Sequence, residues 1–394
     1  MEKHLAEVPP FGNDFLKVEW PLLLECCAPG ANPESLRSLL EKKPNWPVLL
    51  SLAEEHGVIA QLHKRLREFH AKLIPEDVEK SLRERHRGQL LFTLSMTAEL
   101  FRLLDLFRRA GAEAIVVKGP VLSVRAYGDP GLRQYGDLDF LIRASDLRAA
   151  TRTLINAGYD SDLPLEAIEA GKIPGEYLFM KPGARLLVEL HTEQTFRYSP
   201  KPLPMEEYFS RRTEVALDGS HVPALSVEDE FVLICIHGAK DFWERLMWVA
   251  DVAAMVAVGT PLNWEIVKQS AKAVGAERMV RVALRLVEEL LRTEIPAEIR
   301  NDVENDASTK RICKRIETWI PYAGFRPPSL PHRAVFRMSM RGGVIAGPAY
   351  LLRLSLSPTE EDWVEGAETN RSWIADAVRR PYRLLKKYGQ DGKT

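Results

Sequence analysis

The sequence is poor in several things that would otherwise narrow its class. Only four of 394 residues are cysteine, Cys26, Cys27, Cys235 and Cys313, with no CxxC pair and no dense, even spacing. That excludes a disulfide framework and points to reduced, buried thiols. No charge of one sign prevails, since 54 Lys plus Arg face 55 Asp plus Glu for a net charge of -1. Overall charge therefore selects no polyanionic partner, and RNA is the lesser expectation. Long apolar runs are missing as well: "FVLICIHGAK" and "WVADVAAMVAVG" are interrupted well short of the ~20 residues a membrane span needs. The opening "MEKHLAEVPPFGNDF" has no basic stretch leading into an apolar one, so no secretory leader and no membrane association are expected, and the cytoplasm is the expected location. Neither GxxxxGK[ST] nor GxGxxG occurs, which argues against a P-loop or a Rossmann cofactor site. There is no internal repeat and no low-complexity tract.

What is present is a folding chain of 45% hydrophobic residues, long enough for roughly two to three domains. Residues 1–110 read as a helical region. "WPVLLSLAEEHGVIAQLHKRLREF" repeats apolar residues at three- and four-residue spacing, and the helix that opens at Pro75-Glu76-Asp77 stops at Gly111. The period changes at Ala114. Residues 111–217 form the α/β section, with strands at "AIVVK", "GDLDFLI" and "RLLVELHTE" and a helix at "SDLRAATRTLINAGY" capped by Ser145 and closed by Gly158. Residues 218–300 return to helix. "SVEDEFVLICIHGAKDFWERLMWVADVAAMVAV" starts from a capping-box-like Ser226 and Asp229, and "NWEIVKQSAKAVGAERMVRVALRLVEELLRT" follows. Residues 301–394 read as a helical and irregular tail ending in "SWIADAVRRPYRLLKKYGQDGKT", where a helix is expected with a break at Pro381.

The informative stretch is "LRQYGDLDFLI", Leu132 to Ile142. Along a strand, Asp137, Asp139 and Leu141 share one face while Leu138, Phe140 and Ile142 share the other. The apolar face packs on a core, and the opposite face presents two carboxylates whose repulsion a cation, a proton or solvent must relieve. Mg²⁺ suits such a pair, with Mn²⁺ as the alternative, because it takes a few carboxylate oxygens and leaves positions for water and phosphates. Glu189 in "RLLVELHTE" offers a third carboxylate on a strand able to lie beside the first. Two aspartates and an acid from a neighbouring strand are what two-metal nucleotidyl transfer requires. Upstream, Lys118 and Gly119 in "VVKGP" precede a helix whose first N–H groups, with the Lys118 ammonium, can receive phosphate oxygens, and Arg133 can add a guanidinium. The bland alternative is a solvated strand end.

"VVKGPVLSVRAYGDPGLRQYGDLDFLI", then "LLVELH", then "HGAKDFWERLMWVADVAAMV" resembles the uncharacterised nucleotidyltransferase family of the DNA-polymerase-β-like superfamily. The resemblance runs from "NWPVLLSLAEEHGV" to the tail "RRPYRLLKKYG". It implies an α+β, mostly helical chain in which a small mixed β-sheet nucleotidyltransferase core is flanked by N- and C-terminal helical segments. It also implies metal-dependent transfer of a nucleoside monophosphate from an NTP to a hydroxyl acceptor, with Asp137, Asp139 and Glu189 as catalytic metal ligands. Where the wider superfamily carries a Gly-Ser pair at the helix start, this chain has Lys118-Gly119.

Other polar residues carry two readings each. His237, Lys240, Asp241, Glu244 and Arg245 recur at helical spacing and form either a pocket wall, with His237 and Lys240 reaching the nucleotide, or a docked polar stripe. Asp251 reads as structural. His191 shares the Glu189 face, as a support to the metal or acceptor or as a satisfied structural histidine. Arg278, Arg281, Arg285 and Arg292 read as a solvated helix face, as do Arg379, Arg380, Arg383, Lys386 and Lys387. Trp243, Trp248 and Trp264 read as core anchors. The acceptor stays open between a small molecule, a peptide and RNA, and the rival is a non-catalytic nucleotide-binding or protein-interaction module of the same fold.

Overall fold

The computed structural model describes residues 14–169, 175–183, 186–193, 203–257, 261–322, 330–341, 347–350 and 352. The expected helix at "SWIADAVRRPYRLLKKYGQDGKT" and the basic residues Arg379 to Lys387 lie outside them. Helices come first: α1 (Glu19–Cys27), α2 (Pro33–Glu41), α3 (Trp46–Glu55), α4 (Ile59–His70) and α5 (Glu76–Arg109). Asn32 and Asn45 cap α2 and α3, each accepting backbone N–H groups on its side chain with proline among the first two helical residues. The α5 helix carries Glu76, Asp77 and Glu79 in its first turn and Arg108 and Arg109 in its last, which suits both ends of its dipole. Gly111, with φ +76, turns the chain out of it.

The sheet follows. Strand β1 (Ala114–Val117) leads into α6 (Gly119–Tyr127) and β2 (Asp137–Ile142), and then come α7 (Leu147–Asn156), α8 (Leu165–Glu169), β3 (Glu176–Lys181) and β4 (Leu186–His191). Helix α9 (Met205–Arg211), β5 (Thr213–Leu217) and β6 (Ser220–Ala224) complete it. The six strands run in the order β3-β4-β2-β1-β6-β5. The β1–β2, β3–β4 and β5–β6 pairs are antiparallel, while β2–β4 and β1–β6 are parallel, so the sheet is mixed. The fold is α+β and mostly helical.

Alternation assigns the two faces. Leu138, Phe140, Ile142, Val188, Leu190, Tyr177 and Phe179 point to one side and pack on a stripe of α5, Met96, Leu100, Leu103 and Phe107. That stripe has the four, three, four spacing of one helix face, and the Phe107 and Phe140 rings meet edge to face at 5.3 Å. Each such buried side chain contributes roughly 1.5–3 kcal/mol. On the other side a smaller cluster of Ile115, Val117, Leu141, Met205, Tyr208, Phe209, Leu225 and Leu233 covers only part of the sheet. The polar end of β2 and β4 lies on this same face.

The remaining helices are α10 (Val227–Lys240), α11 (Leu246–Ala257), α12 (Trp264–Val274), α13 (Glu277–Leu291), α14 (Ala297–Glu304), α15 (Ala307–Trp319) and α16 (Leu330–Ser339). With α1 to α4 they form one large apolar core. Three expectations are corrected here. The stretch after Ser226 is two helices, because Phe242 and Trp243 take positive φ (59° and 52°) and turn the chain between Lys240 and Leu246, so His237 to Arg245 do not share one helix. The stretch from Trp264 is likewise divided at Gly275, which caps α12 in the left-handed region that glycine tolerates. The cap of α7 is Asp146 and not Ser145: its side chain makes no cap bond there and instead accepts from the Glu113 backbone N–H at 3.2 Å. The Ser226 cap is present, its hydroxyl accepting from the Asp229 N–H at 3.1 Å.

One packing detail fixes the turn after α10. Gly238 lies flat against the fully buried Trp243 ring, and a Cβ built there would sit 2.5 Å from Trp243 Cζ3. A methyl group at that position must displace a ring whose backbone is itself in an uncommon conformation. Gly238→Ala is expected to lower stability by about 1–3 kcal/mol, readable as a lower urea midpoint with an unchanged slope. An unaltered midpoint would show that the ring moves freely.

Candidate active site

The register of three strands builds the site. In the parallel β2–β4 pair Asp139 is the partner of Glu189, and Asp137 that of Leu187. Adjacent partners point to the same side of a sheet, so Asp137, Asp139, Glu189 and His191 share one face. In the β3–β4 pair Glu176 is the partner of His191, which adds a fourth carboxylate from the outer strand. Sequence reasoning missed Glu176, which opens the apolar run "YLFM" of β3.

Asp139 is buried and central. His191 Nε2 lies 2.9 Å from Asp139 Oδ1 and 3.4 Å from Glu189 Oε2, and Lys118 Nζ lies 3.4 Å from Asp139 Oδ2. Among the described residues, Asp139, Glu189 and His191 form the one group of three or more metal-ligand side chains whose ligand atoms all lie within 4.8 Å of one another.

Charge follows from this packing. Burial pushes the Asp139 carboxyl up, but Lys118 and the His191 hydrogen bond outweigh it and hold it well below the usual carboxylate range. Burial and the neighbouring Asp139 charge raise Asp137. Burial carries Glu189 to about 7, against the lowering effect of its His191 hydrogen bond. His191 shows the complement: burial pulls it down, yet Asp139 and Glu189 raise it to about 9. The carboxylates thus gather positive charge to themselves, which is the physical demand that a DxD strand makes.

Lys118 reaches the site through an uncommon backbone. It takes φ 54° and ψ -136°, and Gly119 follows with φ 44°. A positive φ at a non-glycine costs of order 1–3 kcal/mol and persists where the surroundings fix it. The sharp reversal starts α6 directly above β2: a Cβ on Gly119 would stand 3.9 Å from the Asp137 carbonyl. Arg125 then ties α6 to the body, bonding Glu230 at 2.7 Å and Thr213 at 2.6 Å.

Helix α10 carries His237 and Lys240 near these charges. Burial lowers His237 well below its ordinary value, and Lys118, Lys240 and Arg133 lower it further, so the ring is neutral at neutral pH. It sits 3.4 Å from Asp241 and against the Trp248 ring. Lys240 is close enough to affect both Lys118 and Glu176. Arg133, expected at the phosphate, lies close enough to act on Asp137 and His237. It is buried, and its Nε donates to Asp251 Oδ2 at 2.8 Å while the Tyr127 hydroxyl donates to Asp251 Oδ1 at 2.9 Å. This pair joins α11 to the segment entering β2. The arginines of α13 and its C-cap are also paired: Arg278 and Arg281 with Asp306, Arg285 with Glu289, and the capping Arg292 with Glu25. Trp243 is fully buried, whereas Trp248 and Trp264 pack on the core only in part.

A mixed six-stranded sheet with acids on one face, enclosed by helices, defines an α+β protein of the nucleotidyltransferase-like class. Residues 42–292 match the family described as "Uncharacterised nucleotidyltransferase", and the chain belongs to that family. None of the curated proteins matches it. Among solved structures it is similar to an antigenic nucleotidyltransferase-like protein from Paracoccidioides brasiliensis, at 16% identity over 54% of this chain and 96% of that one. The TM-score is 0.32, and this likeness carries no functional argument. No helix among the described residues is long and apolar enough to cross a membrane.

Proposed function

We propose that this protein is a metal-dependent nucleotidyltransferase that moves a nucleoside monophosphate from an NTP to a hydroxyl acceptor. The observation that carries the reading is the convergence of Asp139, Glu189 and His191 on one sheet face, beside the Lys118 ammonium. The donor set fits a hard divalent cation, since carboxylate oxygens suit Mg²⁺ and an imidazole nitrogen in the set also admits Mn²⁺. Asp139 and Glu189 would hold the cation, with Asp137 and His191 next to them. When bound, the cation neutralises phosphate charge and lowers the pKa of the acceptor hydroxyl.

The chain's own residues do the rest by placement. The first N–H groups of α6, after Gly119, offer donors for a phosphate oxygen, and Lys118 adds a charge-assisted bond. Neutral His237 donates or accepts at the ribose, base or acceptor, and Lys240 balances phosphate charge from the α10 side. Arg133 acts from behind, holding the entry to β2 through Asp251. The four cysteines are all buried and free, in keeping with a reducing compartment such as the cytoplasm.

Calorimetric titration of the four NTPs, with and without Mg²⁺, tests the reading. Wild type is expected to bind at least one NTP only with Mg²⁺, and the Asp137→Ala, Asp139→Ala double variant to lose that binding. Binding indifferent to metal and to both substitutions would instead favour a non-catalytic nucleotide-binding module.

A further inference from the structure

The turn between α10 and α11 is held from three sides. Phe242 and Trp243 both take positive φ, 59° and 52°, where an L side chain crowds its own backbone. Such a conformation persists only where its surroundings over-determine it, and it clusters at functional sites. Gly238 provides one hold, its carbonyl accepting the Trp243 N–H at 2.8 Å. His56 provides the second, accepting the Leu246 N–H on Nδ1 at 3.1 Å and the Met247 N–H on its carbonyl at 3.2 Å. The third comes from the last residue of α15: Trp319 donates its indole N–H to the Phe242 carbonyl at 2.8 Å. Phe336 of α16 packs on both rings, 5.3 Å from Phe242 and 5.4 Å from Trp319.

From Phe242 the path to the site is one residue long. Asp241 closes α10, its backbone N–H donating to the His237 carbonyl at 3.1 Å and its carboxylate lying 3.4 Å from His237 Nδ1. Beyond the turn, the Trp248 ring meets the same imidazole edge to face at 5.4 Å. His237 is thus set between a group before the turn and a group after it, within electrostatic reach of Lys118 and Asp139. A turn that relaxed would move Asp241 relative to Trp248 and carry the imidazole with it.

We infer that Trp319 is a positioning residue of the candidate active site, its indole N–H keeping the turn in the shape that presents His237 to Lys118 and Asp139. Trp319 lies beyond residues 42–292, so a part of the chain outside the match to the family takes part in shaping the site. The hold on the turn stands without any catalytic reading. Only its consequence for nucleotide binding rests on the nucleotidyltransferase reading.

Trp319→Phe keeps an aromatic ring against Phe336 and removes the N–H. Hydrogen exchange in EDTA, with no nucleotide, tests the hold. The Trp243, Leu246 and Met247 amides are expected to exchange roughly fivefold faster or more in the variant, with β2 and β4 exchanging as in wild type. The ring-nitrogen signals of His237, identified by their loss in His237→Gln, should shift in Trp319→Phe, which a role in general stability would not cause. Unchanged exchange in the turn, acceleration spread equally over the whole protein, or unmoved His237 signals would overturn the inference. If Trp319→Phe does not fold, wild type decides. The Trp319 indole N–H and the turn amides should then exchange in a single opening, at equal rates once intrinsic rates are divided out, and an indole N–H faster or slower than they are would overturn it. With Mg²⁺ and the preferred NTP, Trp319→Phe should weaken binding, and the loss should vanish in a His237→Gln background; additive losses would overturn the route through His237. Failure of the Mg²⁺-dependent NTP titration in wild type leaves the metal-free results standing, so the two ideas fail separately.

Discussion

Asp139→Asn is expected to reduce nucleotidyl transfer by roughly 10³-fold or more, on the order of 4 kcal/mol of transition-state stabilisation. The side chain keeps its size and loses only its charge. Asp139 is 1% exposed and touches both Lys118 and His191, so no other carboxylate can take its place without moving a strand. The fold should survive, for a reason visible in the site. Removing one of several crowded carboxylates relieves Asp137 and Glu189, while His191 can give up the proton that Asp139 helps it hold. Melting temperature near that of wild type, together with lost turnover and lost Mg²⁺-dependent NTP binding, is the expected pattern. Wild-type turnover in this variant would end the assignment of Asp139 as a metal ligand.

The largest effect on stability is expected at Arg133 and Asp251. Both are buried and they are 118 residues apart in sequence. Removing one partner leaves the other charged and desolvated, so Arg133→Met or Asp251→Leu alone should cost about 3–5 kcal/mol in urea unfolding. Replacing both by apolar side chains removes the stranded charge, and the double variant should recover most of the loss, although the Tyr127 hydroxyl then lacks its acceptor. The coupling from this cycle separates scaffold from ligand. If Arg133 only holds the entry to β2, the folded double variant binds Mg²⁺ and NTP as wild type does. A double variant that regains stability yet stays defective in NTP binding would return Arg133 to the phosphate.

Local pattern carried much of this. The β-branched run "AIVVK" placed β1, all of it buried, and period-two alternation placed β2 and β4, because a strand with one buried face must alternate. It missed β3 and the β5–β6 hairpin, although the latter turns at Asp218-Gly219, a dipeptide suited to positive φ at both positions, 46° and 78° here. The edge strand β5 is half exposed, so its alternation is weak, and β3 reads as the continuous apolar run "YLFM". The break after α10 was illegible for another reason. It depends on Trp243 filling the space beside Gly238, a contact that no helical period encodes.

By itself the sequence determined the helical regions, the strands β1, β2 and β4, that Asp137 and Asp139 share a face, and the family resemblance carried by "VVKGP", "GDLDFLI" and "LLVELH". These are local properties, fixed by side-chain size, branching and period within a few residues. The tertiary structure alone decided that β4 lies parallel to β2, which sets Glu189 against Asp139, that β3 adds Glu176, and that Arg133 turns to Asp251. Those outcomes depend on strand order and on the cost of burying charge, and a buried charge takes whichever partner the packed chain brings within hydrogen-bond reach.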